Sequence, residues 1–128
     1  MRLLIVDDHS AVRAMIRQIS ALVVDEVREC ASGSEAVSVA REYLPDLVTM
    51  DLRLPGLGGI EATRALCSVC PAAKVVIVTS YDEPALRAAA ATAGASHFVA
   101  KDDLGALQPL FARIAAGIVP EPQRDDQI

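Results

Sequence analysis

The stretch Lys74-Val75-Val76-Ile77-Val78 indicates the fold more clearly than any other part of the sequence. The four residues after Lys74 are all β-branched and apolar, with no polar residue alternating between them. An unbroken run of this kind is typical of a strand that is buried on both faces of a parallel sheet. We therefore predict a central strand here and helices that cover both faces of the sheet.

Short apolar runs alternate with longer amphipathic segments on either side of this strand. Further strands are predicted at residues 3–6, 27–30, 46–50 and 95–100. Five helices are predicted, at residues 11–23, 32–43, 60–69, 82–94 and about 107–117. The second begins with a capping box formed by Ser32 and Glu35 and runs to Tyr43. The fourth is capped by Asp82, has Pro84 in its first turn and is closed by Gly94. Five strands that alternate with five helices predict an α/β domain with a mainly parallel sheet.

The last predicted helix contains a proline, and its position decides where the helix begins. A start at Leu107 leaves Pro109 in the first turn, where a missing backbone N–H is tolerated. Residues 119–128 are polar and hold two prolines, so they are predicted to be a tail or the start of a linker. The predicted domain is therefore residues 1–118.

Composition limits the function. The chain has 128 residues, the usual size of one domain, and its hydrophobic content of 52% is enough for a sizeable core. With a formal charge of -5 and 12 scattered Lys and Arg residues, the domain is not expected to bind nucleic acid. The sequence has neither a secretory signal nor a run long enough to span a membrane, so we expect a cytoplasmic protein.

Three cysteines, an odd number, give no disulfide framework and fit a reducing cytoplasm. Cys67 and Cys70 form a C-x-x-C pair, but without a second pair it makes a poor zinc site. We expect both to be buried or partly buried free thiols.

Polar residues follow four of the predicted strands. Asp7 and Asp8 follow the first strand, Asp51 the third, Thr79 and Ser80 the fourth, and Lys101 the fifth. Ligands of open parallel sheets bind outside the carboxyl ends of the strands, so these side chains are expected to converge at one edge. Close carboxylates need compensating positive charge, and Mg²⁺ prefers such oxygen ligands together with phosphate oxygens. A carboxylate nucleophile, a hard cation and a lysine suit the transfer of a phosphoryl group to a carboxylate.

Four motifs resemble those of response-regulator receiver domains, the CheY-like superfamily. They are residues 4–8 (LIVDD), 50–56 (MDLRLPG), 78–80 (VTS) and 94–101 (GASHFVAK), in the order and at the spacing of that family. The resemblance covers about residues 2 to 117. It implies a doubly wound, flavodoxin-like sheet with strand order 2-1-3-4-5.

The resemblance also implies a role for each site residue. Asp51 would accept a phosphoryl group from a histidine kinase or phosphotransfer protein. The metal ligands for Mg²⁺ would be Asp7, Asp8, Asp51 and the backbone carbonyl of Arg53. Lys101 would pair with the phosphoryl oxygens. Thr79 would donate its hydroxyl to the phosphoryl group, and Phe98 would turn inward when Thr79 moves.

The resemblance implies that phosphorylation repacks the surface formed by the fourth helix, the fifth strand and the fifth helix. Formation of homodimers through the same surface is a further hypothesis. Lys101 is followed by Asp102 where many receivers have proline. That pair resembles receivers that precede helix-turn-helix DNA-binding domains, so we expect either a stand-alone receiver or one whose DNA-binding domain lies beyond residue 128.

Two other functions compete with this one. A haloacid-dehalogenase-like aspartyl-phosphate phosphatase would carry a D-x-D arrangement after the first strand, where this chain has adjacent Asp7 and Asp8. A receiver-like interaction module that is never phosphorylated is the second alternative. Simpler positions are also considered for three single residues. Phe98 could be an ordinary core aromatic, and His9 is expected at the rim of the pocket or at the start of a helix. His97 is expected at the surface.

Overall fold

A computed structural model describes residues 1–117 and contains a five-stranded sheet in which all neighbouring strands are parallel. The strands lie in the order β2-β1-β3-β4-β5, which confirms the predicted flavodoxin-like arrangement. The elements in chain order are β1 (Arg2–Val6), α1 (Ser10–Ser20), β2 (Glu26–Cys30), α2 (Gly33–Tyr43), β3 (Leu47–Met50), α3 (Gly59–Val69), β4 (Lys74–Thr79), α4 (Pro84–Ala93), β5 (His97–Ala100), a 3₁₀ helix (Lys101–Ala106) and α5 (Leu107–Ala115).

The sheet separates two cores, and β4 contributes to both. Val75 and Ile77 pack among side chains of α2, α3 and α4, whereas Val76 and Val78 pack among those of α1 and α5. Successive residues of a strand point to opposite faces, so a strand covered on both sides needs an apolar residue at every position. This requirement explains the unbroken apolar run of the sequence.

Helix α1 ends at Ser20, three residues before its predicted end. The carbonyl oxygen of Ser20 accepts hydrogen bonds from the backbone N–H groups of Val23 and Val24, so the chain turns there. Leu22, predicted to lie on the apolar face of α1, is 96% exposed, while Val23 still packs against the core from the turn. The apolar pattern therefore continues past the end of the helix.

The two cap predictions for α2 and α4 have different outcomes. The Ser32 hydroxyl accepts a hydrogen bond from the Glu35 N–H at 3.3 Å, as predicted. The prediction that Asp82 caps α4 is wrong, because Glu83 occupies the N-cap position and makes no side-chain cap. The Asp82 carboxylate instead accepts a hydrogen bond from Arg87 Nε at 2.7 Å.

Strand β5 begins at His97 rather than at Ala95. The Ala95 N–H donates to the carbonyl of Ala90 at the end of α4, so this residue closes the helix instead of starting the strand. The prediction of a surface position for His97 is wrong, since the residue is only 7% exposed. It lies opposite Val76 in the ladder, and thus on the sheet face that α5 covers.

Helix α5 begins at Leu107 and holds Pro109 in its first turn, as predicted. It ends at Ala115, two residues before the predicted end. The predicted domain boundary at residue 118 and the predicted tail at 119–128 lie outside the described residues.

Candidate functional site

Two buried carboxylates share one lysine at the carboxyl edge of the sheet. Asp7 follows β1, Asp51 follows β3, and Lys101 begins the 3₁₀ helix after β5. The Nζ atom of Lys101 lies 3.0 Å from Asp7 Oδ2 and 2.9 Å from Asp51 Oδ2. Asp7 is 1% exposed and Asp51 is 3% exposed, so the lysine balances negative charge that water does not reach.

The strand order is what brings these residues together. Strands β1 and β3 are neighbours, with Val6 paired to Met50, and the Asp51 N–H continues that ladder by donating to the carbonyl of Val6. The aspartates that follow the two strands are therefore adjacent. Only the fold creates this proximity, because 43 positions of the sequence separate Asp8 from Asp51.

A third carboxylate and an imidazole complete the cluster. Asp7, Asp8, His9 and Asp51 each offer one possible ligand atom, and these four atoms all lie within 4.8 Å of one another. The Asp8 side chain is partly exposed, which leaves it accessible from solvent. Three close carboxylates with oxygen donors match the ligand chemistry of a hard divalent cation such as Mg²⁺.

The loop after Asp51 is held by a close backbone approach at Gly59, the first residue of α3. The Gly59 N–H donates to the carbonyl of Leu52 at 3.0 Å. A Cβ atom at Gly59 would lie 2.0 Å from the carbonyl oxygen of Asp51, well inside van der Waals contact. The helix predicted at residues 60–69 starts one residue after this glycine, whose lack of a side chain lets α3 begin directly against the Asp51 backbone.

Opposing effects act on the pKa of Lys101. Burial lowers it, but hydrogen bonds to Asp51 and Asp7 and the charges of those carboxylates raise it by more. The net pKa lies above the usual 10.5, so the ammonium form is favoured throughout the neutral range. Lys101 thus provides a fixed positive charge beside Asp51.

Arg13 also supports the site, although no sequence pattern predicted this role. Its Nη1 atom donates to the backbone carbonyl of Asp7 at 2.7 Å, and its Nε atom donates to Glu29 of β2 at 2.9 Å. Arg17 donates to the other oxygen of Glu29 at 2.7 Å. Helix α1 is thereby tied to both β2 and the start of the acidic loop. The sequence contains no local signal that distinguishes Arg13 from the other arginines.

Thr79 and Phe98 lie on the same face of the sheet. Phe98 is opposite Ile77 in the β4–β5 ladder, and Thr79 follows Ile77 by two residues, which returns it to the same face. Thr79 is fully buried, and its hydroxyl oxygen accepts a hydrogen bond from the Tyr81 N–H at 3.2 Å. Phe98 is also buried, 6% exposed, with the Arg87 guanidinium 4.6 Å from its ring centre.

Arg53 has two kinds of contact next to Asp51. Its backbone N–H lies 3.4 Å from Asp51 Oδ1, a long hydrogen bond. Its side chain stacks over the ring of Tyr81 at 4.1 Å, so the residue two after Asp51 contacts the residue two after Thr79. The backbone of Arg53 therefore borders the cluster while its side chain lies outside it.

All three cysteines are free thiols; Cys30 ends β2, where its carbonyl accepts a hydrogen bond from the Asp7 N–H, whereas Cys67 and Cys70 lie near the end of α3. Cys70 is buried and Cys67 partly buried, with their sulfur atoms near the carbonyl oxygens of Pro45 and Gly94, respectively. Burial and the nearby Glu35 carboxylate raise the pKa of Cys30 to about 12. These contacts confirm the prediction for Cys67 and Cys70.

The fold and the site together describe a doubly wound parallel α/β domain whose carboxyl edge carries two buried aspartates joined by a lysine. The family model described as "Response regulator receiver domain" matches residues 3–111. This chain belongs to that family, as its motifs predicted, and domains of the family are signalling domains of two-component systems.

Known proteins with similar sequences include a response regulator and a chemotaxis protein. Response regulator GacA from Pseudomonas viridiflava is 41% identical over 102 residues, which cover 78% of this chain and 48% of that protein. Chemotaxis protein CheY from Thermotoga maritima is 37% identical over 101 residues, which cover 78% of this chain and 84% of that protein. The chain thus spans about half the length of GacA, and most of the length of CheY.

Among solved structures, a LuxR-family two-component response regulator from Aurantimonas sp. SI85-9A1 has a TM-score of 0.82 and 38% identity to this chain. The superposition covers 94% of this chain and 89% of that one. Across residues 1–117, none of the helices is both long enough and apolar enough to cross a membrane.

Proposed function

We propose that Asp51 accepts a phosphoryl group from the phosphohistidine of a histidine kinase or phosphotransfer protein. A carboxylate oxygen of Asp51 forms the new P–O bond, while the P–N bond breaks and its electron pair returns to the histidine nitrogen. The observation that carries this proposal is the convergence of Asp7, Asp51 and Lys101, with the lysine within 3.0 Å of both buried carboxylates.

The chain's own residues prepare the site for this transfer. Lys101 is positioned to stabilise negative charge on the phosphoryl oxygens, and the Gly59 contact fixes the loop that carries Asp51. Asp7, Asp8, Asp51 and the carbonyl of Arg53 would hold Mg²⁺. When bound, that ion would supply positive charge to offset the charges of the carboxylates and the phosphoryl group. The fit rests on the oxygen-rich donor set of the cluster.

The response to phosphorylation is proposed to pass through Thr79 and Phe98. The Thr79 oxygen accepts from the Tyr81 N–H, which leaves its hydroxyl hydrogen to donate to a phosphoryl oxygen. Movement of Thr79 along their shared sheet face gives Phe98 room to turn inward. Because Arg87 links the Phe98 ring to Asp82, this change repacks the α4–β5–α5 surface.

That surface is also the proposed interface of a phosphorylation-dependent homodimer. We assign the proposed phosphoryl transfer to the cytoplasm, because three free thiols are compatible with a reducing environment. A DNA-binding output domain remains a prediction from sequence resemblance.

Incubation with acetyl phosphate and Mg²⁺, followed by intact mass spectrometry, tests the proposal. The wild type is expected to gain one phosphoryl group, and Asp51→Asn none. Asp103→Asn is the matched control, since Asp103 is an exposed aspartate of the 3₁₀ helix, and this variant is expected to behave as the wild type. An unmodified wild type would favour the phosphorylation-independent interaction module. Equal modification of Asp51→Asn would contradict the assignment of Asp51 as the acceptor.

A sedimentation experiment with the phosphate mimic beryllofluoride tests the switch. We expect the wild type to self-associate more strongly with the mimic than without it, and Phe98→Ala to lose that difference. An identical monomer in both conditions contradicts the proposed homodimer. Equal self-association of Phe98→Ala and the wild type contradicts the role of Phe98.

A further inference from the structure

One imidazole lies against the carboxylate cluster. The Nδ1 atom of His9 is 3.1 Å from Asp7 Oδ1 and 3.1 Å from Asp8 Oδ1. The backbone N–H of His9 donates to the same Asp7 oxygen at 2.8 Å, which holds the residue beside the cluster. We propose that His9 is a nitrogen ligand of the cation site, and that the site therefore binds divalent transition metals such as Mn²⁺ and Ni²⁺ more tightly than Mg²⁺.

The separations fit ligation by a single ion. Around a cation with octahedral bonds of about 2.1 Å, neighbouring ligand atoms lie about 3.0 Å apart and opposite ones about 4.2 Å apart. The two distances from His9 Nδ1 match neighbouring positions. The upper limit of 4.8 Å for all four ligand atoms exceeds the opposite-ligand distance only slightly.

The chemistry of the imidazole sets the preference among metals. Carboxylates and carbonyl oxygens suit Mg²⁺. An imidazole nitrogen adds affinity for Mn²⁺, Ni²⁺ and Zn²⁺, and the gain is smaller for Mn²⁺ than for the other two ions. The His9 side chain is 64% exposed, so its Nε2–H can stay hydrated while Nδ1 offers its lone pair to the ion. A site of three carboxylates and one imidazole is therefore more selective for transition metals than a site built from carboxylates alone.

This inference rests on the cation site of the proposed function. Metal titrations of the full chain distinguish a failure of the inference from a failure of that site. Calorimetry would give the affinities of the wild type, His9→Ala, Asp8→Ala and Ser10→Ala for Mg²⁺, Mn²⁺ and Ni²⁺. We expect His9→Ala to weaken Ni²⁺ binding by about 10- to 100-fold and Mg²⁺ binding by much less, since loss of a supporting partner alone has an effect of that size. Asp8→Ala should weaken all three, and Ser10→Ala, the matched control in the first turn of α1, none.

Pulsed electron paramagnetic resonance of bound Mn²⁺ detects the ligand directly. A nitrogen coupling is expected in the wild type, altered by ¹⁵N-histidine labelling and absent in His9→Ala. This inference alone would be overturned if the wild type bound Mg²⁺ and Mn²⁺ without a nitrogen coupling and His9→Ala lost Mg²⁺ and Ni²⁺ affinity equally. Absence of any divalent binding to the wild type would overturn the proposed cation site as well. The labelled wild type decides the question even where His9→Ala does not fold.

Discussion

Replacement of Lys101 by methionine tests whether one ammonium group holds the acidic edge together. Its Nζ atom is 3.0 Å from Asp7 Oδ2 and 2.9 Å from Asp51 Oδ2, and both carboxylates are almost fully buried. Methionine retains an apolar chain of similar length, so the change removes charge more than packing. Removal of one partner from a buried ion pair typically costs about 3–5 kcal/mol, because the remaining charge is left without compensation.

Urea unfolding in the presence of a chelator measures this cost. With a urea dependence of about 2 kcal/mol per molar, a loss of about 3–5 kcal/mol lowers the midpoint by roughly 1.5–2.5 M. Lys74→Met is the matched control, because Lys74 is the other lysine of the chain and no residue among 1–117 forms an ion pair with it. We expect a change below about 1 kcal/mol for Lys74→Met, as for most substitutions away from buried charges.

A second substitution shows whether the cost comes from uncompensated charge. Asp51→Asn in the Lys101→Met background removes one of the two buried negative charges, so it should recover a large part of the lost free energy of unfolding. Equal midpoints for Lys101→Met and Lys74→Met would refute the electrostatic reasoning. No recovery in the double variant would show that the lysine stem, rather than its charge, stabilises the edge.

Three further predictions concern pH, reactivity and packing. Because the pKa of folded Lys101 lies above 10.5, the stability difference between the wild type and Lys101→Met should be constant from neutral pH to about pH 10.5 and decline as the pH rises through the folded-state value. Urea unfolding across this range measures the difference, and a decline between pH 7 and pH 9 would contradict the prediction. With a pKa of about 12, the Cys30 thiol should resist iodoacetamide at pH 8 until urea unfolds the protein, and mass spectrometry that found native Cys30 alkylated would refute its burial. Gly59→Ala should destabilise the domain by more than about 3 kcal/mol, because its Cβ would collide with the Asp51 carbonyl. Gly105→Ala meets nothing within 4 Å and should change thermal stability by less than about 1 kcal/mol; similar melting temperatures for the two variants would contradict the close approach.

The sequence predicted the layered architecture because its signals are local. Apolar runs without alternation identify doubly covered strands such as β4, and acidic residues placed directly after strands converge wherever those strands are parallel neighbours. Asp7, Asp51 and Lys101 therefore met at one edge as expected, although they lie far apart in the chain. The family resemblance supplied the strand order, which periodicity alone does not contain.

Other features depended on contacts between distant residues. Ser20 ends α1 because the chain turns back onto its carbonyl, although the apolar pattern continues to Val23. His97 is buried because it lies beside Val76 under α5, and no property of a histidine in isolation indicates that burial.

The acidic edge shows the same division between sequence and tertiary structure. The sequence by itself determined which residues carry charge and which strand each one follows, since both are properties of neighbouring residues. Only the tertiary structure decided that Lys101 bridges two carboxylates, that Arg13 holds the Asp7 carbonyl and that His9 contacts Asp8. Those contacts depend on side-chain torsions and on the packing of separate elements, which a linear pattern does not encode.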